Sequence, residues 1–234
     1  MNALLLAAGL GTRLRPLTDK VPKCLVPIHG KPLLAYWLDR LFACKDIEQV
    51  MINTHYLSDV VHEFIETTAD KEKITQVYEA ELLGTGGTVL HNASFFNGLA
   101  FMVIHADNLS RFDVGRFIAR HRARPPHCAI TMMIFETDSP KSCGIVALDA
   151  QEVVVGFYEK VDDPPGILAN GAVYIFEPEV LAFMRTLNQS VIDLSTEVLP
   201  HFIGRIYTFI NTDYHRDIGS LESLRLAEIE YVNQ

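Results

Sequence analysis

Four cations stand close together behind two glycines near the start of the chain. The segment GLGTRLRPLTDKVPK carries Gly9, Gly11, Thr12, Arg13, Arg15, Lys20 and Lys23 directly after the apolar run Ala3–Ala8. Glycines let backbone N–H groups come close to phosphate oxygens, and Arg and Lys supply the opposing charge. The arrangement suits a polyanionic phosphate chain, and a nucleoside triphosphate is the expected occupant. The overall balance sharpens this: 20 Lys+Arg against 29 Asp+Glu give a net charge of −9. An acidic chain that binds phosphate must gather its cations locally. The same balance argues against nucleic acid or an anionic membrane as partner, since both need a basic face.

Two established phosphate motifs fail here. A dinucleotide fingerprint would need Gly or Ala where Leu14 stands, and Arg13 intrudes where a helix must pack closely. The P-loop pattern GxxxxGK[ST] is absent. The plainer alternative, a simple turn at Gly9 and Gly11, stays open on the glycines alone. Further along, Asp107 follows the apolar strand FMVIHA, and Asp217 lies in HRDIGS before the last helix. Open α/β sheets bind ligands beyond the carboxyl ends of their strands, where Asp107 stands. Asp217 has a second reading as a helix cap. A second glycine turn, ELLGTGG (Glu81–Gly87), could bring backbone groups up to a planar base. Glu81 matters because guanine offers a carboxylate two adjacent donors, whereas uracil and thymine offer one. That favours GTP, although Glu81 could equally point to solvent.

The remaining reactive side chains give weaker signals. Cys24, Cys44, Cys128 and Cys143 form no CxxC pair, and no base stands beside them in sequence to make a nucleophile. Free thiols and an opening that lacks a basic n-region predict a cytoplasmic protein. No stretch reaches the ~20 apolar residues of a membrane span. His121, His127, His201 and His215 show no metal spacing, and His105, which ends a buried strand, is equally readable as a core histidine.

These residues need a scaffold, and the apolar patterning supplies one. Ala3–Ala7 is continuously apolar, as in a strand buried on both faces. Pro32 opens a helix through Cys44 with Leu34, Trp37, Leu38 and Leu41 on one face. Ile47–Asn53 reads as a strand, Asp59–Thr67 as a helix capped by Ser58, and Ile74–Ala80 as a strand. The glycine turn leads into a short helix, and Ala100–His105 is the next strand. In the second half Asp113–Arg122 is a helix, followed by strands at Ala129–Phe135, Gly144–Leu148 and Val153–Tyr158. VDDPPGILAN is a turn-rich loop before a strand at Ala172–Pro178. Short helices at Glu179–Met184 and Leu194–Leu199, a strand at Arg205–Asn211 and a helix from about Ser220 to Tyr231 complete the chain. Strand–helix alternation predicts an α/β fold, a doubly wound and mostly parallel Rossmann-like sheet, with a small strand-rich lobe. The 234 residues are expected to form one domain, with a nucleotide part over about 1–110 and a sugar and metal part over about 111–234.

The run LLLAAGLGTRLRPLTDKVPKCLVPIHGKPLL resembles the opening signature of the sugar-phosphate nucleotidylyltransferases, GxGTRLxPxTxxxPK followed by a GKP-like helix start. The resemblance continues through LGTGG, Asp107, the pair Glu159-Lys160, Asn170-Gly171 and Asp217. The LGTGG form looks most like the short heptose 1-phosphate guanylyltransferases and, less closely, the N-acetylmuramate 1-phosphate uridylyltransferases. It implies Mg²⁺-dependent transfer of a nucleotidyl group from an NTP to a sugar 1-phosphate. Arg13 would lie over the β- and γ-phosphates, and Lys23 would contact the α-phosphate and the incoming sugar phosphate. Asp107 and Asp217 would share the Mg²⁺. Ala8, Gly9, Gly11 and Thr12 would join Arg13 and Lys23 around the nucleotide, with Glu81, Gly84, Gly86 and Gly87 at the base and ribose. Asn108, Gly144, Glu159, Lys160 and Asn170 would meet the sugar phosphate. The plainer alternatives are a Lys160–Glu159 ion pair and a turn at Asn170. No hexapeptide-repeat tail follows the last helix, so a monomer or homodimer is expected. Rival readings are a UTP- or dTTP-using enzyme, a non-catalytic nucleotide or sugar-phosphate sensor, a dinucleotide-dependent dehydrogenase and an NDP-sugar-consuming glycosyltransferase.

Overall fold

The computed structural model describes residues 1–231. The chain opens with β1 (Ala3–Leu6), the short strands β2 (Pro27–Ile28) and β3 (Lys31–Pro32), and helix α1 (Leu33–Phe42). Next come β4 (Val50–Thr54), α2 (Ser58–Glu66), β5 (Ile74–Tyr78), α3 (Gly84–His91), β6 (Phe101–His105) and β7 (Asn108–Arg111). The second half runs α4 (Val114–Arg122), β8 (Ile130–Glu136), β9 (Gly144–Leu148), β10 (Val154–Glu159), β11 (Leu168–Phe176) and α5 (Pro178–Thr186). It ends with β12 (Ile206–Ile210), β13 (Tyr214–Asp217) and α6 (Leu221–Glu230). The α/β class expected from the strand–helix alternation is what folds.

By compactness the chain divides into two units. An amino-terminal unit comprises Asn2–Leu82, Ile104–Val114 and the stretch from Asp213; a central unit comprises Leu83–Val103 and Gly115–Thr212. Strand β6 passes from one to the other.

In the amino-terminal unit, β1 pairs parallel with β4, and β4 with β5, in the register Leu4↔Met51 and Ile52↔Gln76. Ala106 N–H donates to Leu6 O at 3.0 Å, so the chain leaving β6 meets the end of β1. Leu4 and Leu5 are fully buried, which explains why β1 is apolar at every position. Helix α1 buries Leu34, Trp37, Leu38 and Leu41, the face expected from their spacing. Each such side chain contributes roughly 1.5–3 kcal/mol on burial. Strands β7 and β13 form a separate antiparallel ribbon in the register Asp217↔Asn108 and Arg216↔Leu109. In the central unit the pairing is mainly antiparallel: β8 with β11, β9 with β10 and β9 with β11, with β12 parallel to β8.

Several local expectations differ from the fold. Ser58 does not cap α2. It lies inside the helix, with Leu57 in the left-handed region at the N-cap, and its hydroxyl pairs with Thr54 at 2.9 Å. Strand β11 begins at Leu168, earlier than its apolar run suggests, because a bulge between Asn170 and Tyr174 absorbs the polar step. The ribbon strands β7 and β13 were not anticipated at all. Among the described residues no helix is long and apolar enough to cross a membrane.

Candidate active site

The phosphate loop is shaped by short turns. Gly11 adopts a left-handed conformation (φ 63°) at the start of a single 3₁₀ turn, Thr12–Leu14. Leu14, the residue that broke the dinucleotide fingerprint, is fully buried and pins that turn to the core. The Thr18 hydroxyl donates to Gly11 O at 2.7 Å and closes the loop from behind. A side chain at Gly11 would come within 3.0 Å of Thr18 and 3.1 Å of Lys23. Arg13, Arg15, Lys20 and Thr12 are exposed, whereas Lys23 is buried within the turn Lys23–Leu25.

The ribbon brings the acidic residues to this loop. The Asp217↔Asn108 register sets Asp217 beside the segment that carries Asp107, and Ile218 N–H donates to Asp107 O at 3.0 Å. Trp37 Nε1–H donates to Asn108 O at 2.7 Å and anchors the ribbon on α1. Lys23 Nζ then stands 2.7 Å from Asp107 Oδ2 and 3.8 Å from Asp217 Oδ1. A side chain at Gly219 would fall 2.8 Å from Asp217 Oδ2 and 2.9 Å from Arg13 Nη2, so the Arg13 guanidinium closes the cluster. The helix-cap alternative for Asp217 does not hold. Ser220 caps α6, accepting from Ser223 N–H at 3.1 Å while Ser223 reaches back to Ser220 N–H at 3.0 Å.

The two carboxylates are electrostatically unlike. Burial raises the Asp107 carboxyl, but the charges of Lys23 and His105 and the Lys23 hydrogen bond outweigh it and hold the group below its usual range. Burial and then the negative Asp107 push Asp217 above its usual range, against Lys23 and Arg13. One ammonium does not neutralise both. Cys24, next to Lys23, is buried and its thiol is pushed up to about 12, so it holds its proton and offers no nucleophile.

A polar pair that the sequence reading missed lies behind the loop. Asn53 at the end of β4 accepts from Ala7 N–H at 2.8 Å and donates to Glu79 Oε1 at 3.1 Å. Ala8 is buried just beyond, and Glu79 is itself buried, whereas Glu81 is exposed. Two signals pointed to the pair: an Asn ending an otherwise apolar strand, and an alternation that turns Glu79 and exposed Tyr78 to opposite sides.

In the central unit the second glycine turn has a different character. Gly84 (φ 73°), Gly86 and Gly87 press against Ser190–Ile192: an added Cβ would meet Ile192 O at 2.6 Å from Gly84 and Ser190 O at 2.4 Å from Gly87. The N–H groups of Gly86 and Gly87 donate to Ile192 O at 2.8 and 3.2 Å. The turn is therefore held by the chain's own carbonyls, and Thr85 adds a bond to Asp193 at 3.2 Å. The expected sugar-phosphate residues of this unit gather on β9–β11. Gly144 faces Glu159 across the β9–β10 pair, where an added Cβ would clash with Glu159 Oε2 at 2.5 Å. Lys160 pairs with Glu159 at 3.2 Å and is largely exposed. Asn170 sits inside β11, donating to Tyr174 OH at 2.7 Å and accepting from Ala172 N–H at 2.9 Å. Asn108, by contrast, lies in the amino-terminal unit.

Among the described residues no group of three or more His, Cys, Asp and Glu side chains could hold a metal ion. A two-carboxylate site is of the kind that binds Mg²⁺ when substrate phosphates and water complete the shell.

Comparison with known proteins gives a consistent result. A family model described as "Nucleotidyl transferase" matches residues 2–234. Mannose-1-phosphate guanylyltransferase of Mycobacterium tuberculosis is 33% identical over 227 residues, covering 95% of this chain and 62% of that protein. The chain thus spans under two thirds of the length of the curated relatives it matches. Among solved structures, HddC from Yersinia pseudotuberculosis complexed with GMP-PN matches with a TM-score of 0.78 at 24% identity, covering 99% of each chain. UDP-glucose pyrophosphorylase complexed with UDP-glucose matches with a TM-score of 0.81 at 22% identity, covering 98% of this chain and 97% of that one. These structural likenesses establish the fold.

Proposed function

The chain belongs to the nucleotidyl transferase family, and from that premise we propose that it transfers a nucleotidyl group from an NTP, GTP by preference, to a sugar 1-phosphate with release of pyrophosphate. The observation that carries this reading is the cluster of Lys23, Asp107, Asp217 and Arg13 beside a glycine loop at the strand ends. Cations and carboxylates in one place are what a reaction between two phosphates requires. The relative from M. tuberculosis named mannose-1-phosphate guanylyltransferase points the same way.

The attacking phosphate has a second pKa of about 6 and is already dianionic at neutral pH, so no general base is needed. Catalysis then rests on positioning and on neutralising crowded negative charge. Exposed Arg13 meets the β- and γ-phosphates and stabilises the leaving pyrophosphate, while Lys23 meets the α-phosphate and the sugar phosphate. Ala8, Gly9, Gly11 and Thr12 form the backbone wall of the nucleotide. Asp107 and Asp217 hold Mg²⁺. That ion, when bound, supplies Lewis-acid charge to phosphate oxygens. Asn108, in the same unit as Lys23, serves the sugar phosphate.

For the base, Glu79 is a better acceptor than exposed Glu81. Its carboxylate is buried and braced by Asn53, and a buried acceptor discriminates strongly against a base that lacks the matching donors. Free thiols support a cytoplasmic protein. The test is pyrophosphate release with Mg²⁺, a pool of sugar 1-phosphates, and GTP, UTP, dTTP, CTP and ATP in turn. GTP should give the highest rate, and Glu79→Gln should lose that advantage. No pyrophosphate with any nucleotide would refute the transfer reaction; an unchanged preference in Glu79→Gln would remove Glu79 from the base site.

A further inference from the structure

We infer that Lys23 is an internal counter-ion that keeps the Asp107–Asp217 site closed to a divalent metal until a nucleotide phosphate draws its ammonium away. The inference rests on the proposed metal role of those two aspartates. Lys23 Nζ donates to Asp107 Oδ2 at 2.7 Å and stands 3.8 Å from Asp217 Oδ1, so its charge sits between the two carboxylates where a metal would be drawn. Its base is anchored in the turn, so a change of partner is made by the ammonium end alone. The side chain is 9% exposed, and the turn is closed by Val26 N–H to Lys23 O at 3.2 Å.

Charge balance gives the second half of the argument. Two carboxylates facing Lys23 and Arg13 are already neutral as a group. A divalent ion entering alone would leave a double positive excess in a partly buried place, which is unfavourable at reduced dielectric. A polyphosphate entering with the ion cancels that excess and offers Lys23 a stronger set of acceptors than a shared carboxylate. Lys23 then moves from the aspartates to the phosphate, and the aspartates are released to the metal. The same residue thereby couples nucleotide arrival to metal capture. Gly11 contributes by leaving room beside the Lys23 stem.

The test is Mn²⁺ binding, followed by electron paramagnetic resonance, to the full chain without nucleotide. Wild type should bind Mn²⁺ weakly, and Lys23→Met, which keeps the stem and removes the charge, should bind it at least roughly tenfold more tightly. Mn²⁺ alone should also raise the thermal midpoint of Lys23→Met more than that of wild type. Lys23→Gln serves as the second variant if the Met variant does not fold. Equal or weaker Mn²⁺ binding in the variants, while wild type binds Mn²⁺ with a non-hydrolysable GTP analogue, would overturn the inference and leave the metal site standing. Absence of Mn²⁺ binding to any form, with or without the analogue, would overturn the metal reading and this inference together.

Discussion

Two glycine turns follow strands in this chain, and they are built for different neighbours. Around Gly9 nothing lies within 4 Å of where a side chain would be, so that stretch of backbone faces open space. At Gly87 the same imaginary atom would sit 2.4 Å from Ser190 O, and the amides of Gly86 and Gly87 are already taken by Ile192. The first turn leaves room for a ligand to approach. The second makes room for another part of its own chain. Side chains separate the two in the same way: the loop at Gly9 leads to the charged cluster of Arg13, Lys23, Asp107 and Asp217, while the Gly84 turn is bounded by backbone bonds and the Thr85–Asp193 contact. A glycine-rich sequence therefore identifies a close approach without saying what does the approaching.

Three substitutions bear on this contrast. The largest effect is expected from Asp107→Asn, which removes charge from the cluster around Lys23: turnover should fall by about a thousandfold while the circular dichroism spectrum stays that of wild type. Near-normal pyrophosphate release would dissolve the proposed role of the cluster. Gly87→Ala should cost about 2–3 kcal/mol in denaturant unfolding, because the clash is with backbone that cannot rotate away. A variant as stable as wild type would mean that the Ser190–Ile192 segment yields, and the two turns would then be more alike than described. Smallest in stability is Gly9→Ala, expected to shift unfolding by less than about 0.5 kcal/mol while reducing kcat/KM about tenfold through the lost approach of phosphate. Unchanged kinetics in that variant would show that the open space at Gly9 is not on the nucleotide's path.

Much of the scaffold was legible from the apolar runs. Strands β1, β4, β6 and β8 and helix α1 announce themselves by continuous or 3.6-periodic burial. The β7–β13 ribbon was not legible, because NLSR and YHRD are short, polar and far apart in the sequence. Nothing local says that they pair. The end of VDDPPGILAN was expected to be loop, yet Leu168–Asn170 lie inside β11, where the bulge lets a polar residue stand within a strand. For Glu79 and Glu81 the residue types are identical, and tertiary bonds separate them: Glu79 is tied to β4 by its N–H to Thr54 O at 2.8 Å and by Asn53, whereas Glu81 is exposed two residues further on. Ser58 misled for a simpler reason: a good capping residue sits one position too late, and its hydroxyl is held by Thr54.

The sequence by itself determined the chemistry available, namely cations behind glycines at fixed spacing, isolated carboxylates, and an α/β frame to carry them. Spacing within the loop fixes that Arg13 and Lys23 share one short segment. Tertiary structure alone decided that Asp107 and Asp217 meet at Lys23 rather than elsewhere. Their meeting depends on the register of two short strands from distant parts of the chain, Asp217 opposite Asn108. Register is set by side chains packing across the ribbon and onto α1, which no local pattern encodes.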